Sequence, residues 1–285
     1  MSGSLQNWEV SVFYVMFGAY LGSSVLYWLW EAIKKDAFRQ LATLAAIVGL
    51  TANTTAIALR WIISQRPPLT SGYEFILVFC WGIVINYMFV KFRYKLNALG
   101  SFVIPVPVLL LGFIIMAMGP SERVASAIQP ALKSQWLTIH VFTAILAYGA
   151  FAVSFGLSIM YILKTLSNQS TDKNTKENWI NRFPHESVLD ELAYKMVGFA
   201  FPMLTLCIIT GAIWANYAWG TYWSWDPKET WSLITWIIYA AYLHARLMYG
   251  WKGRRAAWMA ILGFAIVLFT FFGVNYLLPG LHSYA

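Results

Sequence analysis

Charge is scarce in this chain. Only 11% of its 285 residues are Asp, Glu, Lys or Arg, while 59% are hydrophobic and the mean hydropathy is +0.59. A soluble chain of that composition lacks the polar groups to cover its surface, so the sequence is that of a polytopic membrane protein. The net charge of +8 is no nucleic-acid patch, because the basic residues fall in short loops between apolar runs and so report topology. Cysteine is nearly absent. Cys80 and Cys207 lie far apart inside apolar runs, and no CxxC is present, which argues against a thiol–disulfide relay. No CxxCH is present either, so the chain does not itself carry covalently attached haem. Both cysteines read as small buried hydrophobes. The first residues, MSGSLQNWEV, have neither a basic n-region nor a small-residue cleavage site, and the first span is expected to be retained. No internal repeat and no second folded domain is evident, so residues 1–285 are expected to form one transmembrane domain.

Long apolar runs are what the chain has in abundance. A bilayer core needs about 20 apolar residues per helix. Eight runs qualify, at 11–30, 41–63, 73–90, 97–118, 136–163, 192–216, 228–249 and 256–277, so the fold class is an all-α membrane bundle. Pro105 and Pro107 predict a kink or break in the fourth. With the N-terminus placed outside, 15 Lys and Arg fall in cytoplasmic loops and 5 in outer ones, which puts both termini on the outer side. The polar stretch 165–191 then becomes a cytoplasmic connector, and 119–135 an outer segment able to form a short surface helix.

Between the sixth and seventh spans lies Trp214–Trp231, WANYAWGTYWSWDPKETW, with five Trp and two Tyr in 18 residues. An interfacial belt needs one or two such rings per helix end. Seven with little charge make a flat π-rich platform suited to a large planar ligand. Asp226-Pro227-Lys228-Glu229 reads as a helix start, with Asp as N-cap, Pro at N1 and Glu at N3. That role is compatible with ligand contact, since a capped start holds the platform rigid.

There are four histidines. His140, at the outer start of the fifth span, and His282, beyond the eighth, share the level of the Trp-rich segment. They are either the two axial ligands of one haem iron or two unrelated interfacial histidines. His244 lies 17 residues past Pro227, about 26 Å down the seventh span and close to the cytoplasmic leaflet. Ala240 and Ala241, one turn earlier, leave room there for a macrocycle or for close helix packing. No second membrane histidine stands near its level, so a different residue or another subunit must complete any site. His185, in the polar connector, reads as an ordinary solvated histidine.

WGTYWSWDPKETW, then YLHAR at 242–246 and GVNYLLPGLHSY at 273–284, resembles the CcsA/ResC-type cytochrome c biogenesis proteins of System II, within the wider WWD-domain haem-handling family. RPPLTSGYEF at 66–75, WLTIHVFTAILAYGAF at 136–151 and LAYKMVGFAFPMLTLCIITGAIWAN at 192–216 are similar to further segments of that family, in the same order. The resemblance departs from the family pattern at Arg66-Pro67-Pro68, where an aromatic is expected, and gives no roles for Arg60 and Arg66.

The resemblance implies that haem b is both substrate and bound ligand. His140 and His282 match the external catalytic pair that ligates its iron, and Trp214, Trp219, Trp223, Trp225, Asp226 and Trp231 match the segment that cradles it. His244 matches a membrane ligand whose partner histidine comes from a second protein of the Ccs1/ResB type, a domain absent from this chain. The implied reaction adds the two thiols of an apocytochrome CxxCH across the haem vinyl groups, after haem has passed from the His244 level to the outer face. The propionates would pair with outer cations, for which Arg60, Arg66, Arg123, Lys133 and Lys228 are candidates. The expected setting is a bacterial plasma membrane or a thylakoid membrane, among lipid and without nucleic acid. Two rival readings are a haem transporter or chaperone without ligation activity and a haem-b electron-transfer subunit, although the latter calls for His pairs at matched depth inside a bundle. A structural scaffold explains the tryptophans but not the outer histidine pair.

Overall fold

The computed structural model describes residues 2–124, 132–169, 179–278 and 280. Every regular element among them is helical. α1 (Ser2–Ile33) turns back through Lys34, which takes a left-handed φ of 65°, into α2 (Asp36–Ser64), and the two pack along their length. α3 (Gly72–Tyr94) follows, then a 3-10 turn (Asn97–Leu99), α4 (Gly100–Val103), α5 (Pro105–Ala117) and the single turn α6 (Pro120–Arg123). α7 (Gln135–Gln169) and α8 (Glu186–Trp219) form a second long antiparallel pair. α9 (Pro227–Met248) and α10 (Arg254–Leu268) come next, and α10 runs through a π-helical turn (Phe269–Gly273) into α11 (Val274–Leu277).

The break expected at Pro105 is present, because α4 stops at Val103 and α5 starts at Pro105. Proline has no N–H, so the Ser101 carbonyl loses its helical donor there. The indole Nε1 of Trp28, on α1, supplies the missing hydrogen at 3.0 Å. In hydrocarbon such replacement is what makes a helix break tolerable. At the far end of α5, Arg123 Nη2 donates to the carbonyls of Ile114, Ile115 and Met118, at 2.7, 3.2 and 2.7 Å, closing a helix end that would otherwise be open.

Among the described residues seven helical segments are long and apolar enough to cross a membrane. The chain is therefore an integral membrane protein of helical-bundle class. The expected seventh span, 228–249, is a helix of 22 residues, about 33 Å long, but falls short of the others in apolarity. Lys228, Glu229, Thr230, Ser232, Thr235, His244 and Arg246 all lie on it, and several face the interior. The connector 165–191 is shorter than the sequence suggests, since α7 continues to Gln169 and α8 begins at Glu186.

α3 and α7 are the central helices. Their apolar windows are 72% and 83% buried, against 33% for α1, α2 and α8. They cross where Gly149 faces Gly82: a Cβ on Gly149 would lie 2.5 Å from the Gly82 carbonyl oxygen. Small residues at a crossing let membrane helices approach closely and gain dispersion contacts. Tyr239 of α9 lies flat on Phe151 of α7, ring centroids 3.5 Å apart, and closes the core on that side.

Two ionic clusters pin the bundle. At the end holding the start of α3, Glu74 is fully buried; its Oε1 accepts from Arg60 Nε at 3.1 Å and its Oε2 from Arg66 Nη1 at 2.8 Å. Arg60 Nη1 also reaches Glu9 of α1 at 3.4 Å. At the opposite end Arg246 donates both Nη groups to Asp190, at 2.7 Å each, tying α9 to α8.

Candidate functional site

Three chain reversals at one end of the bundle build a cleft. α7 enters there, α8 leaves and α9 re-enters, with the start of α3 and the π turn closing the sides. The space amounts to roughly 1040 Å³ with its open mouth included. It lies at the end opposite the His244 and Arg246 turn of α9.

His140 is the central polar group of the wall. Its Nδ1 sits 2.7 Å from the carbonyl oxygen of Cys207 on α8. A carbonyl can only accept, so Nδ1 carries the proton and, in the neutral ring, the lone pair is on Nε2, the ring nitrogen with metal-ligating character. The Cys207 thiol is 3.4 Å from the same nitrogen. One turn on, at Gly211, a Cβ would fall 2.7 Å from His140 Nδ1 and 2.8 Å from Cε1, so this glycine makes the space in which the ring sits. Trp214, buried on the same helix, stacks near-parallel to the imidazole at 6.2 Å and 20°. A hydrogen-bond acceptor behind an imidazole fixes the ring's tautomer and aim, as it does in rings that ligate metals.

The remaining residues of the Trp-rich segment separate into two groups. Trp214 and Trp223 line the cleft. Trp219 stands edge-on behind Trp214 at 4.8 Å, and Trp225 stands edge-on to Trp223 at 5.7 Å. Trp225 is 68% exposed and takes a left-handed φ of 60°, unusual for a bulky side chain. Asp226 acts as the N-cap of α9, as its Asp-Pro-Lys-Glu setting predicts. Its Oδ2 accepts from Lys228 N at 3.0 Å, and Glu229 Oε2 accepts from Asp226 N at 3.2 Å. Trp231 faces the other way, onto Phe269 at 4.4 Å, and does not line the cleft.

Several wall residues are given no role by the sequence. Phe75 and Phe79 come from α3, Tyr148 from α7, and Thr270 and Phe271 from the π turn. Cys207 is buried as expected of a small hydrophobe, but its backbone carbonyl holds the histidine. The only signal in sequence for that role is the four-residue spacing of Cys207 and Gly211, which places them on one face of α8.

His282 lies outside the described residues. Gly280, two residues before it, packs onto the start of α9, where a Cβ would lie 2.5 Å from Asp226 Oδ1. His244 is far from the cleft and exposed on the outer side of α9, with Tyr249 edge-on at 5.5 Å. His185 is an exposed N-cap of α8 whose Nδ1 accepts from the backbone N–H of Ser187 at 3.3 Å. No grouping of three or more His, Cys, Asp or Glu able to hold a bare metal ion occurs among the described residues.

Comparison with known proteins bears on this cleft. Residues 69–282 match the family described as Cytochrome C assembly protein. A cytochrome c biogenesis protein CcsA from Guillardia theta is 37% identical over 284 residues, covering 95% of this chain and 94% of the relative. CcsA proteins from Gloeobacter violaceus and Prochlorococcus marinus are 35% and 37% identical, covering 94% and 90% of this chain and 93% and 88% of theirs. In fold, the chain is similar to a solved structure named Cytochrome c Heme Lyase CcmF, with a TM-score of 0.65 at 18% identity over 95% of this chain. It spans about half of that longer protein, 47% of its length. A match over most of the chain at this identity shows descent and role together: the chain belongs to the cytochrome c assembly family, as a CcsA-type protein of cytochrome c biogenesis.

Proposed function

We propose that this cleft binds haem as a substrate and presents it for covalent attachment to apocytochrome c, the chain working as one subunit of a cytochrome c synthase. The observation that carries the reading is the His140 imidazole, held in one tautomer by the Cys207 carbonyl and backed by Trp214, on the wall of an open, aromatic-lined cleft.

The donor set fits the group. An imidazole with its lone pair on Nε2 ligates haem iron, and indole faces hold the flat ring by stacking and exclude water. His140 would hold the iron of a bound haem, and the porphyrin would supply the two vinyl groups that react. His282 is the proposed second external ligand, two residues from the Gly280 contact with α9. In each addition a cysteine S–H of the CxxCH crosses a vinyl C=C: the C–S bond forms at one carbon, the proton ends on the other, and no electrons are exchanged overall. No general acid is needed for that balance. What the chain contributes is position, and holding thiol and vinyl at near-attack distance is where most of the acceleration arises. The substrate's own histidine replaces one of the two external imidazoles and so brings its thiols into line.

His244 is proposed as a membrane ligand shared with a Ccs1/ResB-type subunit. Its exposure, beside the exposed Ala241 one turn earlier, supports a site completed from outside the chain. On the 15-to-5 distribution of Lys and Arg, the cleft faces the periplasm or lumen of a bacterial plasma membrane or thylakoid.

The test is co-expression with a Ccs1/ResB-type partner and a CxxCH reporter, in a host without its own maturation system, followed by haem staining of the denatured reporter. A stained band, lost in His140→Ala and in His282→Ala, is expected. An unstained reporter with haem still co-purifying with the chain would reduce it to a haem carrier.

A further inference from the structure

The cleft contains one group that a neutral macrocycle does not call for. Lys228 stands at the start of α9 with its side chain on the cleft wall. Its Nζ donates to the neutral amide oxygen of Asn275 on α11 at 2.8 Å and lies 5.9 Å from the centroid of the Phe75 ring. Among the described residues no carboxylate lies within ion-pair distance of that ammonium; Asp226 Oδ2 nearby is engaged by the backbone N–H of Lys228. A half-buried ammonium set against apolar walls, hydrogen-bonded to a neutral amide and with the Asp226 carboxylate near but outside ion-pair distance, is costly, and an anion entering the cleft would offset that cost.

The other four outer cations are engaged elsewhere or lie off the cleft. Arg60 is held by Glu74 and Glu9, and Arg66 by Glu74. Arg123 closes the end of α5 through three carbonyls. Lys133 is exposed and off the cleft wall. Glu229, the carboxylate on the wall, is occupied by the capping of α9, where it accepts from Ser224 and Asp226.

We infer that Lys228, held in place by Asn275, is the carboxylate-binding residue of the cleft and takes a propionate of the substrate porphyrin. This rests on the haem reading above and adds an orientation to it. The propionates and the vinyls occupy opposite edges of protoporphyrin IX. An acid edge anchored at α9 turns the vinyl edge away from that helix, so the reactive carbons are offered on the far side of His140. Lys228 thus selects one in-plane orientation from the several that a stack of indoles accepts equally, because stacking alone does not distinguish one edge of the ring from another. Asn275 is a positioning residue that acts through Lys228.

The experiment compares iron protoporphyrin IX with its dimethyl ester on the full chain in detergent, by Soret titration. The ester has the same ring, vinyls and iron but no carboxylate charge. The wild-type chain is expected to bind the free acid about tenfold or more tightly than the ester, as one charge-assisted bond provides. Lys228→Met is expected to lose that preference with ester affinity unchanged, which also shows that the variant is folded, and Lys228→Arg to keep it. Asn275→Leu is expected to reduce the preference while leaving the ester unaffected. Equal wild-type affinity for acid and ester, or an undiminished preference in Lys228→Met, overturns the assignment while leaving haem binding in place. If neither porphyrin gives a His140-dependent Soret shift in the wild-type chain, the haem reading itself fails and this inference falls with it.

Discussion

Gly211 and His140 share a space that only one of them can fill. The imidazole occupies the volume where a Cβ on residue 211 would stand, 2.7 Å from Nδ1. Gly211→Ala therefore forces the ring off its bond to the Cys207 carbonyl and spoils both tautomer and aim. The expected outcome is a weakened, altered Soret band of the haem-loaded chain and loss of reporter staining. Gly198→Ala on the same helix, where a Cβ meets nothing within 4 Å, is the control and should behave as wild type. A Gly211→Ala protein with an unchanged spectrum would mean that His140 tolerates another pose.

Glu74 joins the ionic cluster at the end of the bundle that holds the start of α3. Glu74→Gln removes the charge but little of the shape, leaving Arg60 with Glu9 and taking from Arg66 the carboxylate it pairs with. Breaking a buried pair by removing one partner costs about 3–5 kcal/mol. SDS-titrated unfolding in micelles should show a loss of that order. A change below about 1 kcal/mol would place this cluster with the weak surface pairs.

His244→Ala should leave stability within about 0.5 kcal/mol, because the ring is exposed and touches little beyond Tyr249. Its effect is expected instead in the complex with the partner subunit, where the haem content of the cleft falls. Full occupancy of the cleft in this variant, without added haem, would take His244 off the delivery route.

Trp225 is held at a φ that costs a non-glycine residue roughly 1–2 kcal/mol. Trp225→Gly relieves that strain and loses an edge-on contact with Trp223 worth about 0.5–1.5 kcal/mol, so stability should stay nearly level. Strained backbone positions cluster at functional sites. The reporter stain is therefore expected to fall severalfold while unfolding is unchanged. A full-strength stain would assign Trp225 to the membrane interface alone.

Much of this architecture is legible in sequence because it depends on local pattern. The break at Pro105, the capped start at Asp226 and the common level of His140 and Trp214 follow from proline chemistry, N-cap chemistry and span counting. What is not legible depends on partners far along the chain. The acceptor for His140 is a backbone carbonyl 67 residues away, and a carbonyl has no residue type. Lys228 is distinguished from Arg60 by what Arg60 already holds, a glutamate 51 residues away. The Trp-rich segment reads as one platform, but it spans a helix boundary. Once α9 begins, Ser232 faces the cleft and Trp231, rotated by about 100°, turns to Phe269.

The π turn at Phe269–Gly273 sets the angular phase of the last helix. Its closing bond runs from Val274 N to Phe269 O, five residues back, so one turn contains a surplus residue. Everything after it lags a continuous α-helix by about one residue's rotation, some 100°. Asn275 meets Lys228 only in that retarded phase, and Thr270 and Phe271 reach the cleft from the turn itself. A single surplus residue in the π turn thereby sets the bearing of the side chain that meets Lys228 of α9, without altering the length, direction or apolar face of the helix that enters the turn.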